Sequence, residues 1–328
     1  ATVDTNIITY AKDREKQEKI EAYKISKCEN IELNKNEKDN FIFTSKDYGA
    51  WIILNKTEKD ILEKVKKFKP LKDWNINIYR GILTGFNEAF IIDEETKNKL
   101  ILEDKKSKEI IKPLLRGRDI KRYSYDFKNL YLINTHNGIK EKNILPIDIN
   151  KYSAIKKHLD KYYSDLEVRQ DKGITPYNLR NCAYLEDFEK FKIVWASVGE
   201  NEYSYIEKGI YLLDTNYFLV CDNEEILKYL IGVFNSKLFL FALSYKDTQL
   251  GDGGAWRHYK YNLEEMTIPE VDKKTEKEIV NLVEKVIEGK KKGIDTREFE
   301  EEIDKIVYKL YDLTEEEVGI VENGKQIL

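Results

Sequence analysis

Carboxylates beside a lysine, scattered histidines and glycine-rich turns are the residues here that could carry chemistry. Metal-dependent nucleases need clustered carboxylates and commonly a lysine, and Asp93-Glu94-Glu95-Thr96-Lys97 is the nearest match. With 60 acidic side chains in 328 residues, composition alone produces such a run. His136, His158 and His258 are far apart, and none is bracketed by other ligand-type residues at metal-binding spacing. His158 falls on a helical pattern and reads as an ordinary surface or boundary residue. No GxSxG elbow marks a nucleophile. Leu250-Gly251-Asp252-Gly253-Gly254 lacks both the GK[ST] of a P-loop and the GxGxxG spacing of a dinucleotide fold, and reads as a flexible loop. Cys28, Cys182 and Cys221 are too few and too scattered for a disulfide framework, which favours a reducing, cytoplasmic setting. No catalytic, cofactor or metal residue is assigned.

Cations and aromatics on turns suit a different task, gripping a polyanion. The net charge is −4, but residues 264–328 carry 19 acidic and 11 basic side chains, a net of −8, which leaves +4 on residues 1–263. Within 105–128, nine Lys/Arg face only Glu109, Asp119 and Asp126. Phosphate binding follows local potential and counterion release, so a clustered charge outweighs the total. The Lys105–Lys108 run alone reads as a solvated helix face. Arg116 and Arg118 flank Gly117 at the end of a short helix expected over 106–115, where a guanidinium can be aimed. With Lys121 and Arg122 they are candidate phosphate contacts. The loop RQDKGITPYNLRNC offers Arg169, Lys172, Tyr177 and Arg180, with a salt-bridge network to Asp165, Glu167 and Asp171 as the competing reading. Gln249 and Arg257 flank the 250–254 loop and could reach base edges, while Trp256 and Tyr259 could equally be core residues of a strand.

The elements that must hold these residues follow from hydrophobic periodicity. Residues 4–10 read as a strand and 11–24 as a polar helix. A helix opens near Thr57 and Asp60 and buries Ile61, Leu62, Val65 and Phe68 before Pro70. INIYRGILTGFNEAFIID reads as two strands joined by a glycine-containing loop at 81–87, with further strands near 119–124 and 130–134. A helix is expected over 152–168, a loop over 169–184, four strands within 192–220 and an apolar helix over 224–243. Two amphipathic helices, 274–290 and 296–311, form a hairpin capped by Asp295 and Thr296. The fold class is α+β, a curved, largely antiparallel sheet flanked by helices, with a C-terminal helical hairpin. No apolar run approaches a membrane span. The opening ATVDTNIITYAKD, with neither initiating Met nor leader, reads as a boundary inside a longer polypeptide.

Five signatures in order, GILTGFNEAFIID, IKPLLRGRDIKRY, RQDKGITPYNLR, LLDTNYFLV and the LIGVFNSKLF helix, resemble the TaqI-like C-terminal specificity domain. This is the target-recognition part of type IIG restriction-modification enzymes and related adenine-specific DNA methyltransferases. The resemblance spans about 76–271. It divides the chain into a methyltransferase-domain end and connector (1–70), a recognition domain (71–271) and a helical hairpin and tail (272–328). It implies double-stranded DNA as partner and a methyltransferase domain in the same polypeptide. That domain would use S-adenosylmethionine, with Mg2+ if a nuclease is joined to it, on a flipped adenine. The family's Asn-Pro-Pro-Tyr/Phe tetrapeptide and glycine-rich cofactor motif are absent from these 328 residues, so no catalytic or cofactor residue carries over. A protein-interaction module built on the acidic hairpin is the alternative.

Overall fold

The computed structural model describes residues 52–250 and 254–323, together with the short strands Ile20–Glu21 and Phe41–Phe43. The strand expected at 4–10, Cys28 and residues 251–253 lie outside the described residues. Within the helix expected over 11–24, Ile20–Glu21 instead pairs antiparallel with Phe41–Phe43, which pairs in turn with Ile52–Leu54. Residues 11–24 offer no apolar stripe to hold a helix, and ladder pairing takes those two residues.

The architecture is α+β, with largely antiparallel strands, flanking helices and a helical C-terminal region. Its centre is a four-stranded antiparallel sheet in the order Ser204–Ile206, Lys192–Ala196, Asn216–Val220, Asn77–Arg80. Successive side chains on a strand point to opposite faces. Ile78, Ile193, Trp195 and Leu219 enter one core, shared with helices Glu224–Phe234, Lys237–Ser244, Lys273–Lys292 and Arg297–Leu310. Val194, Ile206, Phe218 and Val220 enter a second core. There they meet a second sheet and helix Ser153–Asp160. Burial on both faces explains why KIVWA and YFLV read as continuous apolar runs rather than alternating ones.

The second sheet has the order Tyr211–Leu212, Ile111–Leu115, Tyr131–Ile133, Ile91–Ile92, and its first pair is parallel. The two strands expected in 76–93 thus belong to different sheets. Gly81 joins them because a Cβ there would lie 2.0 Å from the Leu213 carbonyl oxygen, so only glycine lets these backbones meet.

Three further helices differ from expectation. Over 106–115 only Ser107–Ile110 is helical, and Ile111–Leu115 is a strand. Pro113 supplies no helical donor, and two strand neighbours take up the remaining ladder. The 152–168 helix breaks into Ser153–Asp160 and Tyr163–Val168. The 224–243 helix bends by 68°. At that bend Ser236 caps the second segment and the Asn235 amide takes both backbone groups of Tyr203. No single helix among the described residues is long and apolar enough to cross a membrane.

Elsewhere the pattern is followed closely. Lys56–Val65 starts at an Asn55–Glu58 capping box, just ahead of the expected Thr57 and Asp60. Lys273–Lys292 is capped by Asp272 and ends at Gly293 in the left-handed region, where the chain reverses into Arg297–Leu310. A further helix, Glu315–Asn323, closes the described chain.

Candidate nucleic-acid interface

Strand register brings several turns to one edge of the two sheets. In the central sheet Ala196 pairs with Asn216 and Tyr217 with Arg80, so the ends of three strands coincide. In the second sheet Ile111–Leu115 and Tyr211–Leu212 run parallel and finish together. Leu213 N–H donates to the Leu115 carbonyl at 2.9 Å, and Gly81 N–H donates to the Asn216 carbonyl at 2.9 Å. Thr215 stitches the rest. Its hydroxyl accepts from Gly117 N–H at 3.0 Å, and its carbonyl accepts from Ser197 N–H at 2.8 Å. Val198 then pairs with Arg257 on the hairpin Thr248–Leu250/Ala255–Arg257.

That edge carries Arg80, Arg116, Arg118 and Arg257, and they are not equivalent. Arg116 and Arg118 follow a strand rather than a helix, in the single turn Gly117–Asp119. The Arg116 guanidinium forks onto buried Asp119 at 2.9 and 2.8 Å, and these hydrogen bonds raise its pKa. Arg118 and Arg257 are exposed and have no ion-pair partner among the described residues. Arg80 was not singled out from sequence. It donates from Nε to the Asp214 carbonyl at 2.7 Å while its side chain stays 56% exposed. Its place directly before the obligatory Gly81 was the available signal. Gln249 is exposed but pairs with Trp256, whereas Arg257 pairs with Thr248, so Gln249 and Arg257 lie on opposite faces of the hairpin. Trp256 is buried, as its core reading required, and Tyr259 is half-buried.

The remaining candidates are held elsewhere. Lys121 reaches Glu202 at 3.3 Å and stays half exposed. Arg122 turns away to Glu300 on helix Arg297–Leu310 at 2.6 Å and is mostly buried. Burial opposes its charge, but Tyr123 and Glu300 keep its pKa raised. Lys112 and Lys128 also have acidic partners, Glu189 and Asp126. Five of the nine cations in 105–128 are therefore paired within the chain. Lys105–Lys108 sits at the opposite end of Ile111–Leu115 from Arg116.

The 169–180 loop is internally braced rather than open. Arg169 is 7% exposed and its guanidinium donates to the carbonyls of Thr84, Pro176 and Asn178, with burial lowering its pKa to about 10. Lys172 donates to the Glu167 carbonyl, Arg180 pairs with Asp171 at 3.0 Å, and the Tyr177 hydroxyl donates to Asp160 at 2.5 Å. Of the salt-bridge network expected with Asp165, Glu167 and Asp171, only Arg180–Asp171 forms, and backbone carbonyls take the Arg169 and Lys172 donors instead. Lys172 and Arg180 remain exposed at the loop surface, and the loop touches the 81–87 turn through Gly85 and Asp171.

The other chemical candidates have structural partners. Asp93 caps helix Glu94–Glu103 through Thr96 N–H, and Lys97 contacts the Tyr131 hydroxyl. His158 is buried rather than at the surface, with Nε2 3.0 Å from the Ala89 carbonyl, because its helix turns that face onto the second core. Among the described residues no group of three or more His, Cys, Asp or Glu could hold a metal ion. Two shallow surface cavities, of about 200 and 330 Å³, have no glycine-rich lining that would fit S-adenosylmethionine.

Residues 112–268 match the family described as the TaqI-like C-terminal specificity domain. The type II methyltransferase M.MjaIV of Methanocaldococcus jannaschii is 27% identical over 235 residues, covering 69% of this chain and 76% of that protein. The fold is shared with the type IIL restriction-modification enzyme MmeI, solved in complex with DNA. That structure has a TM-score of 0.56 at 11% identity, covering 88% of this chain. The type IIG restriction endonuclease BpuSI matches at a TM-score of 0.46 and 14% identity, over 78% of this chain. The chain spans 41% of the MmeI chain and 33% of the BpuSI chain.

Proposed function

We propose, from the premise that residues 112–268 are a TaqI-like C-terminal specificity domain, that this chain grips double-stranded DNA and selects a target sequence within it. One observation carries the reading: the matched residues include Arg118 and Arg257, both exposed at this edge without an ionic partner among the described residues. Phosphates are met by Arg118 and Arg80 on the edge and by Lys121 outside it, and base edges by Arg257 or Gln249 from the hairpin. Lys172 and Arg180 on the braced loop form a second approach. Arg116, Arg122, Arg169 and Tyr177 shape the elements that present these groups.

The catalytic centre belongs to a methyltransferase domain of the same polypeptide. It binds S-adenosylmethionine and modifies the amino group of an adenine presented by this domain, in the cytoplasm. The two cavities, lined by residues from Trp74 to Ile226 and from Glu109 to Tyr211, have no glycine-rich lining of the kind that cofactor would need, which supports placing it on that other domain. If a nuclease is joined to it, Mg2+ serves that domain.

The test is equilibrium binding of the chain to labelled duplex DNA across a salt series. A DNA-gripping edge gives an affinity that falls log-linearly with salt, with a slope of about 0.9 per phosphate neutralised. Arg118→Ala combined with Arg257→Ala flattens the slope. A slope untouched by that pair would leave the protein-interaction reading of the acidic C-terminal helices in its place.

A further inference from the structure

The hairpin carrying Gln249 and Arg257 has a buried pair at its base. Asp247 directly precedes Thr248–Leu250, and His258 directly follows Ala255–Arg257. The His258 Nδ1 lies 2.7 Å from Asp247 Oδ2, with the two side chains 3% and 2% exposed. Asp247 Oδ1 also accepts from the Asn262 amide at 2.7 Å and from Tyr259 N–H at 3.4 Å. The same Asn262 nitrogen donates to the Lys246 carbonyl at 2.7 Å. Each leg is also fixed to a different layer. Asp247 N–H donates to Leu243 at the end of helix Lys237–Ser244, and His258 N–H donates to Ser197 on the sheet edge.

This arrangement is costly for mere stability. A carboxylate has been taken out of water, and the His258 Nε2 is buried with no partner among the described residues. Apolar residues of equal volume would hold the two legs together more cheaply. A short, directional pair fixes something an apolar contact does not, the register and angle of the hairpin relative to the edge. Arg257 is one residue from His258, so a small rotation at the base moves its guanidinium off a base edge.

We propose that Asp247 and His258 form a positioning clamp that aims Arg257 at the DNA. The clamp governs discrimination between duplexes rather than overall electrostatic affinity. This rests on the DNA-recognition reading above.

The experiment uses the full chain, a duplex selected by it from a random library, and a scrambled duplex of equal length. The unsubstituted chain is compared with His258→Leu, His258→Asn, Asp247→Asn, Arg257→Ala and the His258→Leu/Arg257→Ala double variant. The expected result is a loss of about tenfold in the selected-to-scrambled ratio for His258→Leu, the scale of one bidentate base contact. His258→Asn, whose amide can replace the Nδ1 donor, retains most of the ratio. The double variant is no worse than Arg257→Ala alone, because the clamp acts through that side chain. Asp247→Asn, which keeps the volume and removes the charge, gives the same loss should His258→Leu fail to fold. A full ratio in either clamp variant, or additive losses in the double variant, overturns the clamp. Failure of the unsubstituted chain to select any duplex overturns the DNA reading instead.

Discussion

Arg116 and Asp119 close on each other as a fork. Nε meets Oδ2 at 2.9 Å, a terminal nitrogen meets Oδ1 at 2.8 Å, and the Arg116 backbone N–H donates to Oδ2 at 2.8 Å. Asp119 is 2% exposed, so one guanidinium builds the turn and leaves Arg118 free to face outward. Arg118→Ala is expected to reduce the salt slope of duplex binding by about one while the unfolding temperature stays fixed. Arg116→Ala is expected to cost about 3 kcal/mol of stability by stranding a buried carboxylate. Anisotropy across a salt series and thermal unfolding separate the two, and identical behaviour of the variants would remove the distinction.

Lys192 is fully buried at the start of the central strand, where its Nζ donates to the Glu207 carbonyl at 3.0 Å. Burial pushes its pKa down from 10.5 to about 7. The unfolded chain holds this proton between those values and the folded chain does not, so stability rises with pH from about 7 to 10.5. Lys192→Met is expected to abolish that rise and to stabilise the protein below pH 7, by up to roughly 4 kcal/mol. Urea titrations at a series of pH values read it, and an unchanged pH slope in the variant would exclude Lys192 as its source.

Asp304 works in the opposite sense. Burial raises its pKa from 3.8 to about 6, while Lys237 N–H donates to Oδ1 at 2.8 Å. The folded state binds the extra proton, so this stabilisation is complete below about pH 4 and is lost as pH rises through 6. Asp304→Asn keeps an acceptor for Lys237 and is expected to remove that loss, raising the unfolding temperature at neutral pH. A lower unfolding temperature at pH 7 would mean that the charge itself, through Arg122 and Lys237, holds the helices.

Gly81→Ala is expected to be the most damaging glycine substitution of the edge. Its Cβ would sit 2.0 Å from one backbone oxygen of the 212–213 segment and 2.6 Å from another, forcing the two sheets apart at a cost of about 3 kcal/mol or more. Gly254→Ala is the control. It has φ +74° but nothing within 4 Å among the described residues, so backbone strain of about 1 kcal/mol is what applies. Similar unfolding free energies for the pair would refute the close-approach role of Gly81.

How far the sequence was legible follows from the range of the forces involved. Amphipathic spacing located Lys56–Val65, Lys273–Lys292 and Arg297–Leu310 well, because one buried face sets each element. The apolar strands within 192–220 were equally plain. Periodicity failed at Ile111–Leu115, where partners distant in sequence decide between helix and strand. It also missed the break at Asn235–Ser236, which a hydrogen-bonded amide creates. At the site, residue type singled out Arg116, Arg118, Arg169 and Arg257 alike. Only the structure separates the exposed guanidiniums from Arg169, whose donors end on three carbonyls, and from Arg122, which ends on Glu300. Burial and partner choice depend on contacts such as Thr84 and Arg169, 85 residues apart, which no local pattern encodes.

The central sheet, buried on both faces, has an evolutionary corollary. Most inward apolar residues of its four strands belong to one core or the other, so a change there disturbs packing. Arg80, Arg118 and Arg257 lie at the strand ends and fill neither core. Exposed substitutions of that kind typically shift stability by no more than about 0.5 kcal/mol. A lineage carrying this fold can therefore exchange the residues of its rim while the scaffold beneath stays under separate and much stricter selection.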